Sequence, residues 1–314
     1  MRFVDLRRSR RDRCCSPDRA HDGHRCTTAH VITVGSLGDL GTIKDAQAGA
    51  HQPLQPHGMD LGLKDRAVLV TGGSRGIGRA AALAFAREGA RVAVTYATQR
   101  ERAESVVGDL LAAGAPDAAA YPMTLADAES IRTAVSETAA RFGGIEVLVN
   151  NAVSWGDVGP WEAPLFEHRA PSSWRPVLHA NVEGHYHAIQ WALPSMRARG
   201  WGRIVNVTST VAADGLPGSG PYSAAKAALH GLTRTLAKEL GPAGILVNVV
   251  MPGLTLTEKN AERFSEAEIA AIAAETPLRR LLRAEELAAT IVFLGSAANA
   301  AVTSEIVRVS GGAS

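Results

Sequence analysis

From residue 66 onward the chain alternates short runs of β-branched and aliphatic residues with longer Ala-rich stretches, and no other feature narrows its fold as much. The runs fall at 67–70, 91–96, 145–149, 203–207, 245–250 and 305–309, with a weaker one at 118–123. Each has the length of a strand. Between them, stretches such as 78–88 and 129–141 carry apolar residues three and four apart, the period of a helix with one buried face. Strands buried on both faces and joined through helices form a parallel, doubly wound sheet, here of about seven strands with helices on both faces. Such a sheet takes its ligand at the carboxyl ends of its strands.

The run at 67–70 is followed at once by Thr71-Gly72-Gly73-Ser74-Arg75-Gly76-Ile77-Gly78, which opens a helical stretch. A glycine-rich run alone marks no more than a turn. Between a strand and a helix it lets backbone N–H groups approach a pyrophosphate at the positive end of the helix, the Rossmann-type arrangement for a dinucleotide. Gly72, Ser74, Arg75, Gly76, Ile77 and Gly78 are the expected cofactor contacts. An NAD-selective site places an acid at the end of the second strand for the ribose 2'-hydroxyl. Here that stretch reads Val94-Thr95-Tyr96-Ala97-Thr98-Gln99-Arg100, without an acid. Arg75, helped by Thr98 or Arg100, suits a 2'-phosphate instead, so NADP(H) is expected over NAD(H).

Composition sets the boundaries. Of 314 residues, 46% are hydrophobic and 20% charged, as in an ordinary globular protein. Residues 1–58 hold nine Lys or Arg against six Asp, together with all three cysteines; the remainder is near neutral, which argues against a nucleic-acid partner. The first 58 residues lack a sustained apolar period and read as a disordered extension, with Met59 the expected natural start and 59–314 the catalytic domain. Cys14, Cys15, His21, His24 and Cys26 match none of the usual zinc spacings, and no metal is expected. No apolar run reaches the roughly 18 residues of a membrane span. A folded region without cysteine fits a reducing compartment, and a soluble, cytoplasmic protein is expected.

Pro221-Tyr222-Ser223-Ala224-Ala225-Lys226 begins a helical stretch whose four-residue spacing puts Tyr222 and Lys226 on one face. Alone, such a pair is an ordinary solvated helix pair. Ser209 at the end of a strand thirteen residues earlier, and Asn181 in the preceding helix, change that reading. With the glycine loop, Asn150-Asn151-Ala152, Pro252-Gly253 and the closing Val309-Ser310-Gly311-Gly312, the chain from Met59 onward resembles the short-chain dehydrogenases/reductases. Within them it is most similar to the 3-oxoacyl-(acyl-carrier-protein) reductase branch.

The resemblance implies that Tyr222 protonates a carbonyl oxygen as hydride reaches the carbon, that Ser209 aims that oxygen, and that Asn181 sits on a proton relay to solvent. Lys226 would hold the nicotinamide ribose and lower the phenol's pKa: an ammonium about 4 Å away, at an effective dielectric of about 20, contributes about 4 kcal/mol, enough to bring a pKa of about 10 near working pH. Asn151, Ala152, Pro252, Gly253 and Thr257 would line the nicotinamide half of the cofactor. A homotetramer acting on a small-molecule or carrier-bound ketone is implied, giving NADPH-dependent reduction of a 3-oxoacyl thioester or polyketide-type ketone. An alcohol dehydrogenase of sugars, steroids or small alcohols, and a non-catalytic NADP(H)-binding regulator, stay open as alternatives.

Three departures from the family pattern stand out. Val153 follows Asn-Asn-Ala where glycine is common, and Thr124 stands where many relatives carry an aspartate near the adenine. The segment between Asn151 and Trp174 is longer than usual and holds Trp155, Trp161 and Phe166, which suit either a pocket for a bulky ketone or a cap on the sheet edge. Glu258, Lys259, Glu262 and Arg263 read as a solvated helix face.

Overall fold

The β-branched runs form the strands of one sheet, and the chain crosses back over that sheet through helices. In the computed structural model, which describes residues 60–156, 159 and 163–313, the first run is β1 (Ala67–Val70) and the glycine turn opens α1 (Gly76–Arg87). There follow β2 (Arg91–Tyr96), α2 (Arg100–Ala112), β3 (Ala118–Pro122), α3 (Ala128–Phe142) and β4 (Val147–Asn150). Next come α4 (Trp174–Leu178), α5 (Gly184–Arg199), β5 (Gly202–Val207), α6 (Val211–Asp214) and the long α7 (Gly220–Leu240). The chain continues through β6 (Ile245–Pro252), β7 (Thr255–Leu256), α8 (Glu258–Arg263), α9 (Glu266–Glu275), β8 (Leu282–Arg283), α10 (Ala284–Leu294) and β9 (Ile306–Val309). The expected extension over 1–58, the start at Met59, the three cysteines and Trp161 lie outside the described residues.

Every residue of β1, β4 and β5 is buried, as a strand covered on both faces requires. Val68 and Val70 face a core with Phe85, Leu110 and Ile291, while Ala67 and Leu69 face one with Ile131, Leu148, Met196 and Ile204. Burial of each large side chain contributes about 1.5–3 kcal/mol, which sets the register of each strand through its two faces. Local signals agree with the packing. The Asp127 carboxylate caps α3 by accepting from the amides of Glu129 and Ser130, and Gly143 closes that helix in the left-handed region at φ 73°.

The sheet runs β3-β2-β1-β4-β5-β6-β9, with all strands parallel. The winding reverses between β1 and β4, where Val70 pairs with Val149, so a crevice opens just past their carboxyl ends. Thr71 to Gly78 and Asn151 to Trp155 form its two lips. A separate pair, β7 beside β8, carries α8 and α9 between its strands. Asn181 was expected in a regular helix, but the backbone widens into a π turn over His179–Glu183 between α4 and α5. Such turns concentrate at functional sites. No helix among the described residues is long and apolar enough to cross a membrane.

Candidate active site

The glycine loop is shaped by contacts from the opposite lip. Thr71 is fully buried, and its hydroxyl accepts from the amides of Asn151 (2.9 Å) and Ala152 (3.0 Å). The Asn151 amide in turn donates to the carbonyls of Thr71 (3.0 Å) and Gly72 (3.1 Å). A Cβ on Gly78 would sit 2.4 Å from both the Asn151 side-chain nitrogen and the Gly72 carbonyl oxygen, so only glycine lets α1 begin this close to the loop. The cavity between the lips measures about 450 Å³, within the range of small-molecule and cofactor sites. It extends from Thr98 and Gln99 beyond β2, past the glycine loop, to Tyr222 and Lys226 on α7. A backbone cradle at a helix N-terminus, an arginine beside it and an extended cleft fit a dinucleotide.

Pro221 in the first turn of α7 presets its start, and the buried side of the helix repeats through Tyr222, Ala225, Lys226, Leu229 and Thr233. Tyr222 and Lys226 are therefore both buried, the lysine to 1% exposure. The Ser209 hydroxyl, which accepts from the Val211 amide at 3.3 Å, stands near enough to the phenol to favour its ionised form. The Lys226 ammonium donates to the Val207 carbonyl at 3.0 Å and lies 5.8 Å from the centre of the Tyr222 ring. Burial pushes the phenol up, against the smaller lowering from Ser209, and draws Lys226 down to about 7. This corrects the expectation that Lys226 brings the phenol near neutrality: both groups are desolvated, and desolvation opposes either charge. The phenol therefore keeps its proton.

A family model described as "Enoyl-(Acyl carrier protein) reductase" matches residues 72–314. The chain is 37% identical over 247 residues to the 3-oxoacyl-(acyl-carrier-protein) reductase FabG of Staphylococcus aureus (strain Mu50), which covers 79% of this chain and 97% of that protein. Among solved structures, a dehydrogenase/reductase from Sinorhizobium meliloti 1021 superposes with a TM-score of 0.72 at 36% identity, over 81% of this chain and 96% of that one. A short-chain dehydrogenase from Burkholderia cenocepacia J2315 in complex with NADP gives 0.71 at 36% identity, over 80% and 98%. The chain belongs to the short-chain dehydrogenase/reductase family. It is a short-chain oxidoreductase on a Rossmann-type sheet.

Most of the sequence-predicted site of this dehydrogenase/reductase comes together. Gly72, Ser74, Arg75, Gly76, Ile77 and Gly78 line one side of the cavity; Asn151, Ala152, Tyr222, Lys226, Pro252 and Thr257 line the other. Gly253 does not reach it, because it packs against Ser310, where an added Cβ would come within 2.9 Å. Arg100 is turned into an ion pair with Glu104 at 2.8 Å, which leaves Arg75, Thr98 and Gln99 at that end. Thr124 and Val153 both border the cavity, whereas Phe166 points to solvent at 84% exposure and caps nothing.

Asn181 is fully buried, and its amide is engaged at both ends: it donates to the carbonyls of Ser154 (2.6 Å) and Val177 (2.8 Å) and accepts from the Ser154 amide (3.1 Å). In this geometry it fastens the loop after β4. Two residues, Glu258 and His185, escaped the sequence reading, while Trp155 was singled out there without its partner. Glu258, read as a solvated face, accepts from the Gly76 amide at 3.2 Å, at the anion-binding end of α1. His185 is buried behind the Ala152 carbonyl, 3.0 Å away. Trp155 lies against the Tyr222 ring, with centroids 4.1 Å apart and planes tilted by 40°. Long-range contacts of this kind leave no periodic trace in sequence.

Proposed function

We propose that this oxidoreductase reduces a ketone to a secondary alcohol with NADPH, its substrate a 3-oxoacyl thioester or a polyketide-type ketone. The observation that carries the reading is a buried phenol, kept neutral by that burial and with Ser209 beside it, at the inner end of a cleft that starts at the glycine loop. A neutral phenol is a proton donor, and with the Ser209 hydroxyl it presents two hydroxyl groups to one substrate oxygen. NADPH held along the cleft would supply the hydride. Arg75 is the residue for its 2'-phosphate, the N–H groups of the glycine loop for its pyrophosphate, and Lys226 for its nicotinamide ribose. The curated relative is a 3-oxoacyl-(acyl-carrier-protein) reductase and the Burkholderia structure holds NADP; both support the assignment.

In the reductive direction Tyr222 releases its proton to the carbonyl oxygen as charge develops there. Lys226 stabilises the phenolate that results, and Ser209 holds the oxygen in line. Residues 59–314 form the catalytic domain of what we assign as a cytoplasmic homotetramer, checked by light scattering on a sizing column. The decisive assay follows loss of the reduced nicotinamide absorbance with NADPH or NADH and a panel of acetoacetyl thioester, crotonyl thioester and cyclic aryl ketones. Turnover of ketones with NADPH is expected. Reduction of the crotonyl double bond in preference to any ketone would overturn the reading, as would a preference for NADH.

A further inference from the structure

We infer that Trp155 selects the ketone: its indole, held against the Tyr222 ring, makes the site favour carbonyl compounds that carry a flat aromatic group over those with linear acyl chains. The inference rests on the ketone-reductase reading above and names the substrate class for that same site.

The position of the indole is built by the backbone on either side of it. Before it, the Ser154 amide and carbonyl are both held by the Asn181 side chain, at 3.1 Å and 2.6 Å. Asn181 is itself anchored to the Val177 carbonyl at 2.8 Å and is fully buried. After it, Gly156 turns the chain at φ 71°, and the turn lies so close to α4 that a Cβ would meet Val177 at 2.9 Å. Between these two fixed points the side chain has little choice of direction. It reaches the Tyr222 ring at a centroid distance of 4.1 Å and is only half-buried, so part of the indole still faces the cavity.

One flank of the catalytic phenol is thereby covered by a rigid π surface. A carbonyl oxygen that reaches the phenolic hydroxyl brings its substituent alongside the indole. A flat ring can lie offset on that surface or meet it edge-on, at no cost in rotamer freedom; a linear chain gains less contact and must give up several torsions to make it. Of the three aromatic residues in this loop, Phe166 is exposed and Trp161 lies outside the described residues, so among the described residues Trp155 is the one at the phenol.

The test compares wild type, Trp155→Ala and Trp155→Phe on 1-tetralone and on ethyl acetoacetate, with NADPH throughout. The Ala variant is expected to lose about three- to tenfold in kcat/KM on 1-tetralone, mostly through KM, the range an aromatic pair supports. Its kcat/KM on ethyl acetoacetate falls by a smaller factor, so the preference between the two ketones shifts toward the linear one, and Trp155→Phe restores most of that shift. Equal losses on both ketones, or none on either, overturn the inference. Calorimetric binding of 1-tetralone in the presence of NADP+, a pair with no hydride to transfer, provides a readout that does not require turnover. Tighter binding by wild type than by the Ala variant supports the role of Trp155 even if no ketone is reduced, in which case only the reductase reading falls. Equal affinities in the two proteins overturn the inference whatever the turnover.

Discussion

Burial leaves Tyr222 and Lys226 as a pair of groups inclined to neutrality, and the consequences are testable one residue at a time. Tyr222→Phe keeps the ring that packs on Trp155 and removes only the hydroxyl. Its kcat is expected to fall by about 10²–10⁴, the range for loss of a general acid, with little change in melting temperature or in the KM for NADPH. An unchanged kcat would mean that the proton comes from another group. Arg75 is exposed, borders the cavity near Thr98 and Gln99, and has no carboxylate from the end of β2 beside it there. Arg75→Ala should raise the KM for NADPH about 10- to 100-fold, the worth of one charge-assisted hydrogen bond, and leave that for NADH nearly unchanged. Equal effects on both cofactors would remove Arg75 from the 2'-phosphate. Tyr222, Lys226 and Ser209 were legible in the sequence because helical spacing and a strand end place them. The sign of the phenol's shift was not, since it depends on how completely other elements cover α7.

Elements were legible to the extent that their burial left a pattern. The strands at 67–70 and 91–96 were read residue for residue and the other five strands of the seven-stranded sheet to within two residues at either end, because both faces of a central strand demand apolar side chains, whereas the two-residue β7 and β8 were not read. The π turn at Asn181 carries no such mark, and the link from α8 to the glycine loop joins residues 182 apart. That link has a functional price. The Glu258 carboxylate occupies the N-terminal end of α1, where the amide of Gly76 and the helix dipole favour an anion, and the pyrophosphate of the proposed NADPH would need the same groups. Glu258→Gln should therefore bind NADPH about two- to fivefold more tightly, since a helix-end charge contributes about 0.3–1 kcal/mol. Titration by nicotinamide fluorescence reads the change directly. Weaker binding would show that the carboxylate instead helps α8 close over the bound cofactor.

Stability as a function of pH belongs to the whole molecule, and two buried bases tilt it the same way. His185 is fully buried, its Nε2 donates to the Ala152 carbonyl, and its Nδ1 is buried without a partner. Burial, reinforced by the nearby Lys226 cation, draws it down to about 3. In the unfolded chain the same imidazole takes up its proton near pH 6.5. Between pH 6.5 and about 3 the unfolded chain thus binds a proton that the native state refuses, so stability falls as the pH falls, by up to about 1.4 kcal/mol for each pH unit. Lys226 repeats the argument higher up: with a native value of about 7 against 10.5 unfolded, it makes stability rise with pH between those limits. His185→Gln keeps a donor for the Ala152 carbonyl and cannot titrate. Urea unfolding at pH 5, 6.5 and 8 should show the variant losing about 1.6 kcal/mol less than wild type between pH 6.5 and 5, and only about 0.4 kcal/mol less between pH 8 and 6.5. Parallel curves throughout would assign the acid sensitivity to the surface carboxylates, whose ion pairs are screened by salt; repeating the titration at 1 M salt would then flatten both proteins alike.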